Sequence, residues 1–125
     1  MSNLSLEIKT VQSAAFRVLT EALKEILTDA NFEIDSTGIK VMAMDSSHTV
    51  LVHLKLNADN FEHYHCDSKK ILGINMLNFF KLIKTMGNSD TLSLYLERDN
   101  ESVLGIRIEN SEKNTTTNYT LNLMD

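Results

Sequence analysis

Twice along the chain a helical stripe of apolar residues is followed by three stretches of alternating apolar and polar residues. This doubling restricts the fold more than any other feature. In the first copy Phe16, Leu19, Leu23, Ile26 and Leu27 recur at i, i+3, i+7, i+10 and i+11, the spacing of one buried helix face. Arg17, Glu21, Lys24 and Thr28 fall on the other side. Leu4, Leu6 and Ile8 precede it in strand alternation, and residues 32–34, 39–43 and 50–56 follow it the same way. In the second copy Asn75 is placed to cap a helix whose buried face is Met76, Phe79, Phe80, Ile83 and Met86, with Gly87-Asn88 as its stop. Residues 61–66 and 71–74 lead into it. Strands predicted over 91–98, 102–109 and 115–123 follow, with turns at Asp99-Asn100 and Asn110-Ser111. The two helices lie about sixty residues apart and the halves share pattern rather than residues. Strands outnumber helices and each helix has one apolar stripe. The expected fold is therefore α+β: two strand–helix–three-strand units, with both helices packed on one face of antiparallel sheet. Proline is absent, so nothing interrupts the strands.

Residues 38–56, GIKVMAMDSSHTVLVHLKL, read as a hairpin with one buried face. Its polar turn is hemmed by Met44 and Leu51, so it offers a partner both apolar contact and hydrogen bonds. The stretch 115–123 ends the chain's last strand with no charge. Such an edge is either covered or pairs with another chain, around Tyr119.

The net charge of −5 is unevenly distributed. Lys81 and Lys84 are the only charges between Asn75 and Met86, while Arg17 and Lys24 balance Glu21 and Glu25, so the helices hold +2 and the remainder −7. If both helices lie on one sheet face, Arg17, Lys24, Lys81 and Lys84 share a surface, with Leu77 exposed among them. Segregation of this kind lets an acidic molecule hold a polyanion on one side, although helix lysines are more often simply a solvated face. The lone cysteine, Cys66, fits a reducing compartment. With no apolar run near the ~20 residues of a membrane span and no signal-peptide core, a soluble intracellular protein is expected.

Chemistry is hard to place. His63 and His65 share a strand face at i, i+2, with Cys66 on the opposite face, and no four-ligand spacing surrounds them. Asp45, Ser47 and His48 look like a hydrolase trio, but one tight turn cannot easily align nucleophile, base and orienter. No glycine-rich phosphate loop is present. No catalytic residue, metal site or cofactor is expected.

Specific segments nevertheless resemble a known family. LTEALKEILTDANFEI, MAMDSSH with the following LVHLKL, FEHYHCD, GIN, KLIKTMGN and the terminal LNLMD are similar, in order and spacing, to the N-terminal domain of the eukaryotic-type sliding clamps, the proliferating cell nuclear antigen family. The resemblance covers residues 11–125 and is open to a cellular or a viral member. It implies that 1–125 is one clamp N-terminal domain without the connector and second domain. It further implies a DNA-clamp fold, and a trimeric ring in two-domain members. Helices face duplex DNA in that ring, and cations touch phosphates without reading sequence. By the resemblance Arg17, Lys24, Lys81 and Lys84 are the DNA contacts, whereas Val18 stands where many relatives carry another basic residue. Met44, His48, Thr49 and Leu51 become part of a pocket for short peptides of DNA polymerase and other replication and repair proteins. Thr117, Tyr119 and Leu121 lie on the strand that pairs with a neighbouring subunit. A clamp loader is a further implied partner, and the nucleus, or a viral replication site, the implied location. A protein-interaction scaffold that never encircles DNA, or a checkpoint-clamp subunit, is the alternative, with the hydrolase of Asp45, Ser47 and His48 more remote.

Overall fold

The computed structural model describes residues 3–44, 47 and 51–124. Among them the order is β1 (Leu4–Thr10), α1 (Ser13–Ile26), β2 (Asp29–Asp35), β3 (Gly38–Met44), β4 (Leu51–Asn57), a 3-10 turn (Ala58–Asn60), β5 (His63–Cys66), β6 (Lys70–Asn75), α2 (Met76–Ile83), β7 (Thr91–Glu97), β8 (Asn100–Asn110) and β9 (Thr115–Asn122). The doubled unit is present. Its antiparallel sheet is divided in two, a four-stranded sheet β4-β3-β2-β6 and a five-stranded sheet β5-β1-β7-β8-β9.

The division exchanges strands between the halves. β1, which opens the first unit, pairs with β7 of the second through Ile8↔Leu94. β6, which opens the second, pairs with β2 of the first through Phe32↔Leu72. Neither half can close its own sheet, so the two units form one folding body. Leu6, Phe32, Ile74, Phe79, Leu94 and Leu104, drawn from both sheets and α2, belong to a single buried cluster. Two links tie the sheets at their ends. The Tyr64 hydroxyl of β5 donates to the Asp35 carbonyl at 2.5 Å. The Met124 N–H donates to the Gly73 carbonyl on β6 at 2.9 Å, just after Leu123 N–H has bonded Ser102 of β8.

The helices follow the expected stripes, except that Leu19 and Phe80 are only half-buried and each helix departs in one further place. Asn75 caps α2 as its sequence suggests, its Oδ1 accepting from the Asn78 N–H at 3.0 Å, but regular helix ends at Ile83 and Met86 enters the core from a following turn. On α1 Ile26 is 42% exposed, whereas Thr20 is 2% exposed. The buried line runs Phe16, Thr20, Leu23, Leu27, the i, i+4, i+7, i+11 spacing of one helix face, with Leu27 already extended at the C-cap. Thr20 tolerates burial because its hydroxyl donates to the Phe16 carbonyl at 2.9 Å.

Candidate functional site

The helix pair supplies the first candidate surface. Ser13 Oγ donates to the Gly87 carbonyl at 2.9 Å and Arg17 donates to the Met86 carbonyl. Lys24 lies 5.0 Å from the centre of the Phe80 ring. Contacts that ascend α1 descend α2, so the helices are antiparallel. The start of α1 thus donates to two carbonyls of the loop that follows α2. The structure thus brings Arg17, Lys24, Lys81 and Lys84 onto one helix layer but gives them unequal freedom. Arg17 is half-buried on its carbonyl. Lys24 is held between Phe80 and Glu25, 2.7 Å away, and its ammonium keeps the Glu25 carboxyl below the usual range. Lys81 and Lys84 are exposed, as are Val18 and Leu77.

The second surface is on the reverse of the four-stranded sheet. Ile39 and Val41 of β3 face the helices. Strand alternation therefore turns Lys40, Met42 and Met44 away from them. The register Met44↔Leu51, Met42↔His53 and Lys40↔Lys55 places the outward residues of β4 beside them. Met42, Met44 and Leu51 are 52%, 49% and 62% exposed, a cluster of large apolar side chains on an antiparallel sheet's solvent face. Asn31 and Asp29 of β2 border its other side. Met42 was not among the sequence-predicted contacts. Its alternation with Val41 and Ala43 was the signal that placed it beside Met44. Of the predicted pocket residues His48 and Thr49 lie outside the described residues, as do Asp45 and His48 of the hydrolase trio.

The third feature is edges. β9 ends the five-stranded sheet and β4 the four-stranded one, each paired on one side only among the described residues. Leu121 is buried and Tyr119 half-buried against the chain's own core, while Thr117 is exposed. The unpaired edge of β9 is main chain, flanked by the exposed Thr116, Thr117, Asn118 and Thr120. The histidines do not converge with Cys66. His63 Nε2 lies 3.2 Å from Glu7, while the Cys66 thiol donates to the Ser68 carbonyl at 3.0 Å, and burial pushes its pKa up.

A two-sheet body with a helix layer on one side and an apolar hairpin face on the other defines a DNA-clamp domain. Residues 5–125 match the family profile of the proliferating cell nuclear antigen N-terminal domain, and the chain belongs to that family. It is similar to a protein described as probable DNA polymerase sliding clamp 1 of Paramecium bursaria Chlorella virus 1, 35% identical over 123 residues. That alignment takes in 98% of this chain and 47% of the viral protein, so the chain spans about half the length of that relative.

Proposed function

We propose that this chain is the N-terminal half of a DNA sliding clamp, a non-catalytic processivity factor that encircles duplex DNA without reading its sequence. One observation carries the reading. The cationic helix layer and the apolar face of Met42, Met44 and Leu51 lie on opposite sides of one sheet, an arrangement that supports DNA contact on one side and docking on the other. A sliding contact must be electrostatic and degenerate, since base-edge hydrogen bonds fix a protein at one site. Lysines on an acidic body meet that need.

In this reading Lys81 and Lys84 contact phosphate directly, while Arg17 and Lys24 contribute field from side chains already engaged within the protein. Met44, His48, Thr49 and Leu51 receive short peptides carrying a glutamine and an aromatic pair, from DNA polymerase and other replication proteins. With one wall of the pocket on this chain, binding by the chain alone is weak. Heterologous pairing of the β9 edge with a β4 edge closes a ring, a trimer for two-domain subunits, opened by a clamp loader. It acts where DNA is replicated, in the nucleus or at a viral replication site.

The test is charge reversal on α2. In Lys81→Glu/Lys84→Glu the slope of log K against log salt for duplex binding should flatten by about 2 per engaged copy, because each phosphate contact contributes ~0.9. An unchanged affinity and slope overturns the DNA-facing assignment and leaves a scaffold that binds proteins only.

A further inference from the structure

We propose that Met42 and Met44 form a methionine-oxidation site on the docking face, at which a peroxide converts the thioethers to sulfoxides and releases the bound peptide. The proposal rests on the docking reading above and extends it to regulation. Both side chains stand on the outward face of β3, two residues apart, with Leu51 and His53 of β4 opposite them. They are about half exposed, whereas Met76 and Met86 are 0% and 1% exposed within the core. Met124 is also exposed, but it sits at the far edge of the same sheet, held to Gly73 of β6. Among the described residues solvent peroxide therefore meets thioether sulfur at two places, and only the β3 pair lies on the docking face.

The chemistry balances with hydrogen peroxide as the oxidant. A sulfur lone pair attacks one peroxide oxygen, the S–O bond forms as the O–O bond breaks, and the departing hydroxide takes the proton of the sulfur-bound hydroxyl, leaving as water. Sulfur loses two electrons and the peroxide gains them. The product is a polar, chiral sulfoxide where a flexible apolar chain stood. Thioethers owe their use in docking surfaces to conformational adaptability and to apolar, polarisable contact, and the sulfoxide removes the apolar part. Methionine sulfoxide reductases reverse the change, oxidising two thiols to a disulfide and releasing water.

The experiment treats the folded chain with hydrogen peroxide and maps oxygen uptake by mass spectrometry. In parallel, binding of a synthetic peptide carrying a glutamine and an aromatic pair is followed by NMR titration. Met42 and Met44 are expected to oxidise well before Met76 and Met86. Peptide Kd should rise about tenfold, as for loss of a side chain's worth of apolar contact. Reductase treatment should restore it. Met42→Leu/Met44→Leu, whatever its starting affinity, should show no change of that affinity on peroxide treatment, and Met124→Leu should weaken under peroxide as the unsubstituted chain does. Oxidation of Met42 and Met44 no faster than of the core methionines overturns the site. Oxidation of the pair with unchanged affinity overturns the release while the docking reading stands. Absence of any peptide shift before oxidation removes the docking reading and this proposal's release step with it, whereas the oxidation order is read independently.

Discussion

Phe79 stands where α2 meets both α1 and the four-stranded sheet. Its ring packs edge-on against Phe16 at 6.2 Å and Phe32 at 6.4 Å, and it is 1% exposed. Edge-to-face pairs add to the energy of burial, and removing a buried phenyl also leaves a cavity. Phe79→Ala is expected to cost about 3–5 kcal/mol in urea unfolding, a large share of a domain's stability. Phe80, its neighbour, is half-buried beneath Lys24 and should cost clearly less when truncated. The sequence placed both on one apolar stripe. It could not rank them, because the difference lies in what each ring meets. At Gly38, which opens β3, a φ of 151° and the Leu56 carbonyl oxygen standing where a Cβ would go leave no room for a side chain.

At the scale of elements, the helix pair is anchored through the loop that follows α2. Asp90, 8% exposed, accepts from the Gly87 N–H at 2.8 Å and from the Asn110 amide at 2.6 Å, while the Gly87 carbonyl receives Ser13 Oγ. The Asp90 carboxylate therefore joins the loop after α2 to the end of β8, and Gly87 in turn joins that loop to the start of α1. Asp90→Ala leaves two donors unpaired in a partly buried place and should destabilise by about 1–3 kcal/mol. Hydrogen exchange should show the loss first at the Gly87 amide, and a change spread evenly over the chain would contradict this local role. Local signals foresaw both helices, their stripes and the Asn75 cap, since these depend on residues within a few positions. Asp90's role depends on Asn110 and Ser13, brought together only by the fold.

Across the whole molecule, Lys70 of β6 reaches Glu101 of β8 at 2.9 Å and Asp67 at 3.2 Å, and Arg98 also bonds Asp67. The cluster bridges the two sheets. The Glu101 hydrogen bond raises the Lys70 pKa, and Lys70 in turn lowers that of Glu101. Burial pulls the Asp67 carboxyl upward, but hydrogen bonds and charge from Lys70 and Arg98 outweigh it and hold it below the usual range. Depressed carboxyls stabilise the fold above their unfolded values, near ~4, and lose that contribution as pH falls through the folded ones. The raised ammonium stabilises below its unfolded value, ~10.4, and loses its contribution as pH rises through the folded one. Lys70→Met should therefore be less stable than the unsubstituted chain at pH 7. The gap should narrow as pH falls through the two carboxyls, and again above the Lys70 value. Denaturant midpoints recorded across pH check this, and a gap constant from pH 7 to pH 3 would show that the pairing is not its source.

By itself the sequence determined the elements: where strands alternate, where helices carry one apolar face, where turns fall, and which segments resemble sliding clamps. Those properties are written in spacings of two, three and four residues. Tertiary structure decided what spacing cannot carry. It exchanged β1 and β6 between the halves, buried Thr20 and exposed Ile26, and engaged Arg17 and Lys24 while leaving Lys81 and Lys84 exposed. It also set Met42 beside Met44 and Leu51 on the outer face. Each of these depends on partners tens of residues away, or on a neighbouring strand, whose approach is governed by how two sheets and two helices fill one core.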